Sequence, residues 1–245
     1  MLVAHRWPGT PQAAVLVARP NRFLALCKLV RRTTCRSREA EALLIEAHVP
    51  DRGRCLDLLV PGQELTIVEA RGPDRRTGHT VLLARSKAAP RTWVSLDPAG
   101  APRLVAEALR RGLLPSLSGL TAVRREITVR DSRIDLLLSP GDVLCEVKSV
   151  GAAREGVALF PDAPTLRGVR HLALLAELSR RGRSCALVFC AQRGDVRAVA
   201  PDSQIDPAFA AALRTARRRG VRVVALRCSA HPEGMDLMDE IPVLL

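Results

Sequence analysis

At 245 residues and 47% apolar composition, the chain can bury the core of one large domain or two small ones, which excludes a disordered tail. No run of about 18 uncharged apolar residues occurs, and the opening MLVAHRWPGTPQ lacks the basic and apolar regions of a signal peptide, so a cytoplasmic, non-membrane protein is expected. Thirty-eight basic residues against 25 acidic give +13, a surplus suited to a polyanion, the plainer alternative being arginine-rich usage throughout.

The first part reads as five short strands, at 13–18, 22–30, 42–49, 64–70 and 79–84, separated by Pro, Gly, Arg or Asp turns. Such spacing predicts a small barrel or sandwich. A Pro-rich stretch at 86–102 marks the domain link, giving domains 1–88 and 89–245. Beyond it, apolar residues at 104, 105, 108 and 109 predict a helix over 103–111, stopped by Gly112. Strands follow at 122–130, 132–138 and 142–150. Thr165 caps a helix running to Arg181, residues 184–191 form a buried strand, Asp206-Pro207 opens a helix closing at Gly220, and 221–228 is a last strand. This order predicts a mixed-sheet α/β domain. Seven cysteines with no CxxC pair read as reduced thiols, not a disulfide frame or a zinc site.

The turn Ser139-Pro140-Gly141-Asp142 pairs Leu138 with Val143, which sets Asp135 opposite Glu146 and Arg133 opposite Lys148. Glu146 and Lys148, two residues apart, share a strand face, while Ile134, Leu136, Leu138, Cys145 and Val147 form the core-facing set. Two opposed carboxylates repel unless a cation lies between them, and Mg²⁺ or Mn²⁺ suits carboxylate oxygens. A lysine beside them can orient or deprotonate water. Only three of the 38 basic residues are lysines, which makes Lys148 conspicuous. The plainer alternative is a solvated hairpin face.

The runs PRLVAEALRRGLLPSL (102–117), REITVRDSRIDLLL (125–138), CEVKSV (145–150), EGVALFPDAPTLRGVRHL (155–172), AQRGDVRAVAPDSQIDPAF (191–209) and the terminal IPVLL resemble the sugar fermentation stimulation protein family (SfsA). The resemblance implies an OB-fold-like N-terminal domain joined to a restriction-endonuclease-like, PD-(D/E)XK nuclease-like domain. It implies DNA binding and regulation of sugar-utilisation genes, with Asp135, Glu146 and Lys148 as the nuclease-motif residues. Glu107, on the first helix, is the candidate to complete the site, or else an ordinary partner of Arg111 or Arg103. The family pattern HCPNTGSM stands here as HVPDRGRC (48–55), keeping His48, Pro50 and Gly53 while Arg52 and Arg54 add positive charge.

Further phosphate contacts are expected from Arg22, Lys28, Arg31 and Arg32 on the first strands, with Arg36 and Arg38 beside them. Arg167 and His171 either face the active-site cleft or are a snorkelling arginine and a buried histidine. Gln192 and Arg193, leaving a buried strand, either line a ligand site or form a turn. Asp162 is read as a loop anchor, with contact to the metal site the alternative. Phe23 is expected in the core, and with Trp7 and Trp93 the other aromatic candidates, binding is expected to be charge-driven and to favour duplex DNA. The functional expectation is a DNA-binding protein with metal-dependent nuclease activity. The alternatives are a non-enzymatic DNA-binding regulator or an RNA-processing nuclease, and a homodimer stays open.

Overall fold

The structure is a computed structural model that describes all residues except 1–4, 31–43, 71, 74 and 89. Arg31, Arg32, Arg36 and Arg38 therefore lie outside the described residues. In chain order the elements are β1 (His5–Arg6), β2 (Gln12–Asn21), β3 (Leu24–Leu29), β4 (Leu44–His48), β5 (Glu64–Glu69), β6 (His79–Arg85), β7 (Trp93–Ser95), α1 (Ala101–Arg110), β8 (Thr121–Val129), β9 (Ser132–Ser139), β10 (Val143–Val150), β11 (Ala153–Arg154), β12 (Val157–Phe160), α2 (Leu166–Arg180), β13 (Cys185–Ala191), β14 (Ala198–Pro201), α3 (Pro207–Arg218), β15 (Arg222–His231) and β16 (Gly234–Ile241).

Strands β2 to β6 close on themselves: β2 pairs β3 and β5, β4 pairs β3 and β6, and β5 pairs β6. Alternate residues such as Ala14, Leu16, Ala25, Cys27, Leu65 and Ile67 fill the interior, as the period of two requires. This is the OB-like barrel.

The C-terminal half is a mixed sheet, ordered β15-β13-β10-β9-β8, with β16 on β15. Strands β10, β13 and β15 run parallel, and β13 is buried along its whole length because helices cover both faces. Helix α1 packs Leu104, Val105 and Ala108 on one face, against Leu136, Leu138, Cys145 and Val147. Helices α2 and α3 cover the other, where Leu172, Leu175, Phe209 and Leu213 meet Leu144, Leu187 and Phe189. Ile134 belongs to this second cluster, so the expected core-facing set is buried but divided between the two sides.

Two pairings bear on the division expected at residue 88. Strand β7 lies inside the expected link and pairs with β6 of the barrel and with β15 of the second sheet. Strand β1 pairs with β16, and Trp7 is buried in the α1 core, its indole N–H donating to the His231 carbonyl at 2.9 Å. Short segments like these pair with partners far along the chain, which local patterning does not reveal.

Among the described residues no helix is long and apolar enough to cross a membrane. All six described cysteines are free and buried.

Candidate functional site

The site is assembled by the β9–β10 hairpin and the first turns of α2. The hairpin register is the one expected, Leu138 on Val143, Leu137 on Leu144 and Leu136 on Cys145, and backbone pairing then stops. At that point the Asp135 side chain replaces the ladder, its Oδ2 accepting the Val147 N–H at 2.7 Å. Because Leu136 and Val147 face α1, their neighbours Asp135, Glu146 and Lys148 project to the α2 side.

Helix α2 begins where Thr165 Oγ1 accepts the Gly168 N–H at 3.1 Å, satisfying an orphan donor of the first turn. A Cβ on Gly168 would fall 2.8 Å from Thr165 Cγ2, so glycine lets the cap close. Asp206 fixes this start to α3. One of its oxygens accepts the Thr165 N–H at 2.8 Å, and the other caps α3 through the Phe209 N–H at 2.9 Å. The buried stripe of α2, Gly168, His171, Leu172, Leu174 and Leu175, carries His171 down onto β10.

Glu146 is 2% exposed, and its Oε1 receives both the Lys148 ammonium at 2.5 Å and the His171 Nδ1 at 2.5 Å. Its Oε2 is buried and has no hydrogen-bond partner among the described residues. Burial alone would raise its pKa, yet the His171 hydrogen bond and the Lys148 charge outweigh it and hold the carboxyl below the ordinary value. Asp135 goes the other way. Burial, and then the charge of Glu146, push it up to about 6, against the Val147 hydrogen bond and the Lys148 charge. Arg167, one turn before His171, places its Nε 3.4 Å from His171 Nε2. The structure thus brings Asp135, Glu146, Lys148, His171 and Arg167 together.

Other expected residues lie elsewhere. Glu107 sits on α1, across the sheet from Asp135, with its carboxylate between Arg110 and Arg111 at 2.6 Å from each. The Arg110 hydrogen bond leads in holding it down to about 2. Arg133 is exposed and its charge partner is Glu126 at 3.7 Å. Gln192 and Arg193 are buried and contact no open surface. Gln192 donates to the Asp97 carbonyl at 2.9 Å and to Ser149 Oγ at 2.6 Å. Arg193 grips Asp195 with two bonds of 2.7 Å and donates to the Gly151 carbonyl at 2.7 Å. Both residues fasten strand ends, a consequence of distant contacts that a strand-end reading does not foresee.

The barrel's basic residues divide. Lys28 is exposed on β3, while Arg22, Arg52 and Arg54 converge on a pocket of about 490 Å³ whose far wall is Ala163 and Pro164. Arg19, which sequence reasoning missed, holds that pocket's floor by donating to the carbonyls of Arg22, Gly53 and Arg54. Asp162 is the anchor expected of it: its Oδ2 accepts the Cys55 N–H at 3.1 Å, and a Cβ on Gly53 would collide with it at 2.1 Å. Asp51, Cys55 and Asp162 keep their donor atoms within 4.8 Å of one another. Burial, the nearby carboxylates and the Asp162 hydrogen bond all raise the Cys55 thiol pKa. Phe23 is 46% exposed, against the expected core position, because it occupies the tip of the β2–β3 hairpin.

Comparison with known proteins agrees with this architecture. A family model described as the sugar fermentation stimulation protein RE domain matches residues 100–234, and one described as the SfsA N-terminal OB domain matches 17–96. A sugar fermentation stimulation protein homolog of Chloroflexus aurantiacus is 40% identical over 232 residues, covering 94% of this chain and 84% of that one. The homolog of Moorella thermoacetica is 40% identical over 242 residues, covering 97% and 98%. The structure of Pyrococcus furiosus SfsA, a complex with Ca²⁺, superposes over 100% of both chains with a TM-score of 0.85 at 22% identity.

Proposed function

The chain belongs to the sugar fermentation stimulation protein family, and from that premise we propose that it binds DNA and hydrolyses phosphodiester bonds at the Asp135–Glu146–Lys148 cluster with a divalent cation. The observation that carries this reading is the Glu146 carboxylate. One oxygen is held by Lys148 and His171, while the other is buried, without a hydrogen-bond partner among the described residues, beside a second, raised carboxylate. A buried, unsatisfied oxygen is costly in a fold with no use for it.

The donor set fits a hard cation. Asp135 and Glu146 would hold Mg²⁺ or Mn²⁺, leaving further positions for water and phosphate oxygens. That the Pyrococcus furiosus relative is a Ca²⁺ complex supports a hard-ion site in this chain too. The cation would supply Lewis-acid polarisation of the phosphate and a lowered pKa for a water. The chain's own residues account for the rest. Lys148 Nζ can turn from Glu146 to orient an attacking water and to offset charge building on the phosphate. His171 keeps the Glu146 oxygens in their orientation, and Arg167 adds positive charge beside the cluster, suited to a phosphate oxygen.

The test is cleavage of supercoiled, linear duplex and single-stranded DNA in Mg²⁺ or Mn²⁺, comparing native protein with Asp135→Ala and Lys148→Ala. Cleavage by the native protein, lost in both variants while binding persists, is the expected result. Salt-dependent binding by all three with no cleavage in either metal would overturn the hydrolytic reading in favour of a non-enzymatic DNA-binding regulator.

A further inference from the structure

We propose that the junction between the barrel and the C-terminal half is a subsite for single-stranded nucleic acid, with a base stacked on Phe23 and flanking phosphates held by Arg22, Arg52 and Arg54. It rests on the nucleic-acid part of the reading above and not on hydrolysis.

Phe23 differs from the other three phenylalanines. Phe160, Phe189 and Phe209 pack on one another in the C-terminal core with centroids 5.0 to 6.5 Å apart. Phe23 instead stands at the tip of the β2–β3 hairpin, 46% exposed, with the Arg22 guanidinium 5.8 Å from its ring centre. Its position is fixed. The Phe23 N–H donates to Asn21 Oδ1 at 2.8 Å, and its carbonyl accepts the Val49 N–H at 2.9 Å, which joins the tip to the loop that carries Arg52 and Arg54. Arg19 ties the same tip and loop together through their carbonyls. Asp162 then ties the loop to the C-terminal half, so the cleft is formed before any ligand arrives.

The chemistry of the cleft is one-sided. Among the described residues no carboxylate pairs with Arg22, Arg52 or Arg54, although these guanidiniums line one concavity. Two acids of the cleft's own loops are committed to backbone donors: Asp51 accepts the Gly53 N–H, and Asp162 accepts the Cys55 N–H. Three unpaired guanidiniums call for phosphate oxygens. Exposed Leu56 lines the cleft, and exposed Phe23, next to the lining Arg22, supplies the ring that a base can cover. A duplex keeps its base faces inside the stack and has none to offer Phe23, whereas a single strand presents one with every nucleotide. Pro164, on the cleft's far wall, is followed directly by Thr165 and then by Arg167 and His171, so a strand leaving the cleft meets the end of α2 whose His171 contacts the acidic cluster.

The experiment is fluorescence anisotropy with labelled single-stranded DNA, the same sequence as RNA, and the DNA duplex, at several salt concentrations with EDTA present so that nothing is cut. Phe23→Ala should weaken single-strand binding about tenfold and leave the duplex unchanged, while Phe23→Trp should restore it. The triple variant Arg22→Ala/Arg52→Ala/Arg54→Ala should lower the slope of log affinity against log salt by about 2. A triple variant at exposed Arg214, Arg217 and Arg219, equal in charge lost, should bind as native, and melting curves check that each variant is folded. DNA and RNA arms decide which sugar is preferred. Equal effects of the two triple variants, a neutral Phe23→Ala, or equal competition by polyglutamate would overturn the proposal. Intact single-strand binding with no cleavage in Mg²⁺ leaves this subsite standing and removes only the hydrolytic reading.

Discussion

His171 Nδ1 lies 2.5 Å from Glu146 Oε1, joining a helix and a strand that are 25 residues apart in the chain. The contact takes up one oxygen of a carboxylate whose other oxygen is buried with no partner among the described residues. It therefore sets which oxygen stays available.

If His171 positions Glu146, His171→Ala should lower cleavage about 10- to 100-fold, the usual cost of losing an outer partner of a metal-ligating group. The Mg²⁺ concentration for half-maximal rate should rise while DNA affinity holds. His171→Asn, whose amide can still donate to Glu146, should recover part of the loss. A fall in DNA affinity with an unchanged Mg²⁺ requirement would instead assign His171 to substrate binding.

Asp135 predicts a pH signature. Its pKa is raised from 3.8 to about 6 on folding, first by burial and then by Glu146. An acid with a raised folded pKa loses stability on ionising, so the penalty is absent below about pH 4 and complete above about pH 6. Asp135→Asn keeps an oxygen for the Val147 N–H and should stabilise the metal-free protein by about 2 kcal/mol at pH 8, with no gain near pH 3.5. Urea midpoints at the two pH values measure this, and an equal gain at both would refute the electrostatic origin.

Arg193 predicts a loss of stability. It is 4% exposed and grips Asp195, also largely buried, while bonding the Gly151 carbonyl. Arg193→Ala leaves a buried carboxylate without its partner and should cost about 3–5 kcal/mol in chemical denaturation. Weakened DNA binding at unchanged stability would restore the binding role first expected of it.

Glu107 predicts the absence of an effect. It lies on the α1 side of the sheet, held by two arginines. Glu107→Gln should leave the metal requirement and the cleavage rate as they are, and a loss of metal-dependent activity would show that α1 reaches the site after all.

What the sequence made legible was local. The 139–142 turn set the register of β9 on β10, and strand parity placed Glu146 and Lys148 on one face. The caps Thr165 and Asp206 were readable because their oxygens bond donors three residues on. What stayed hidden depends on layers. Periodicity showed that α1 has an apolar stripe, but not that it lies against Leu136 and Leu138, which puts Glu107 on the wrong side for Asp135. Phe23 sits in an apolar run and reads as core, yet the two-residue turn lifts it out of the barrel wall. His171 lies on an apolar stripe, and nothing nearby in sequence identifies Glu146 as its partner.

The threading of β1 and β7 bears on how the chain can be divided. The chain starts in the C-terminal sheet, leaves it to build the barrel, and returns through a three-residue strand that both halves share. A cut near residue 88 removes from the C-terminal half its own first strand and the Trp7 indole, and strips from the barrel the β7 residues Val94 and Ser95 that lie along β6. The two domain models mapped along this chain thus share strands and core, and loss of either half exposes core belonging to the other.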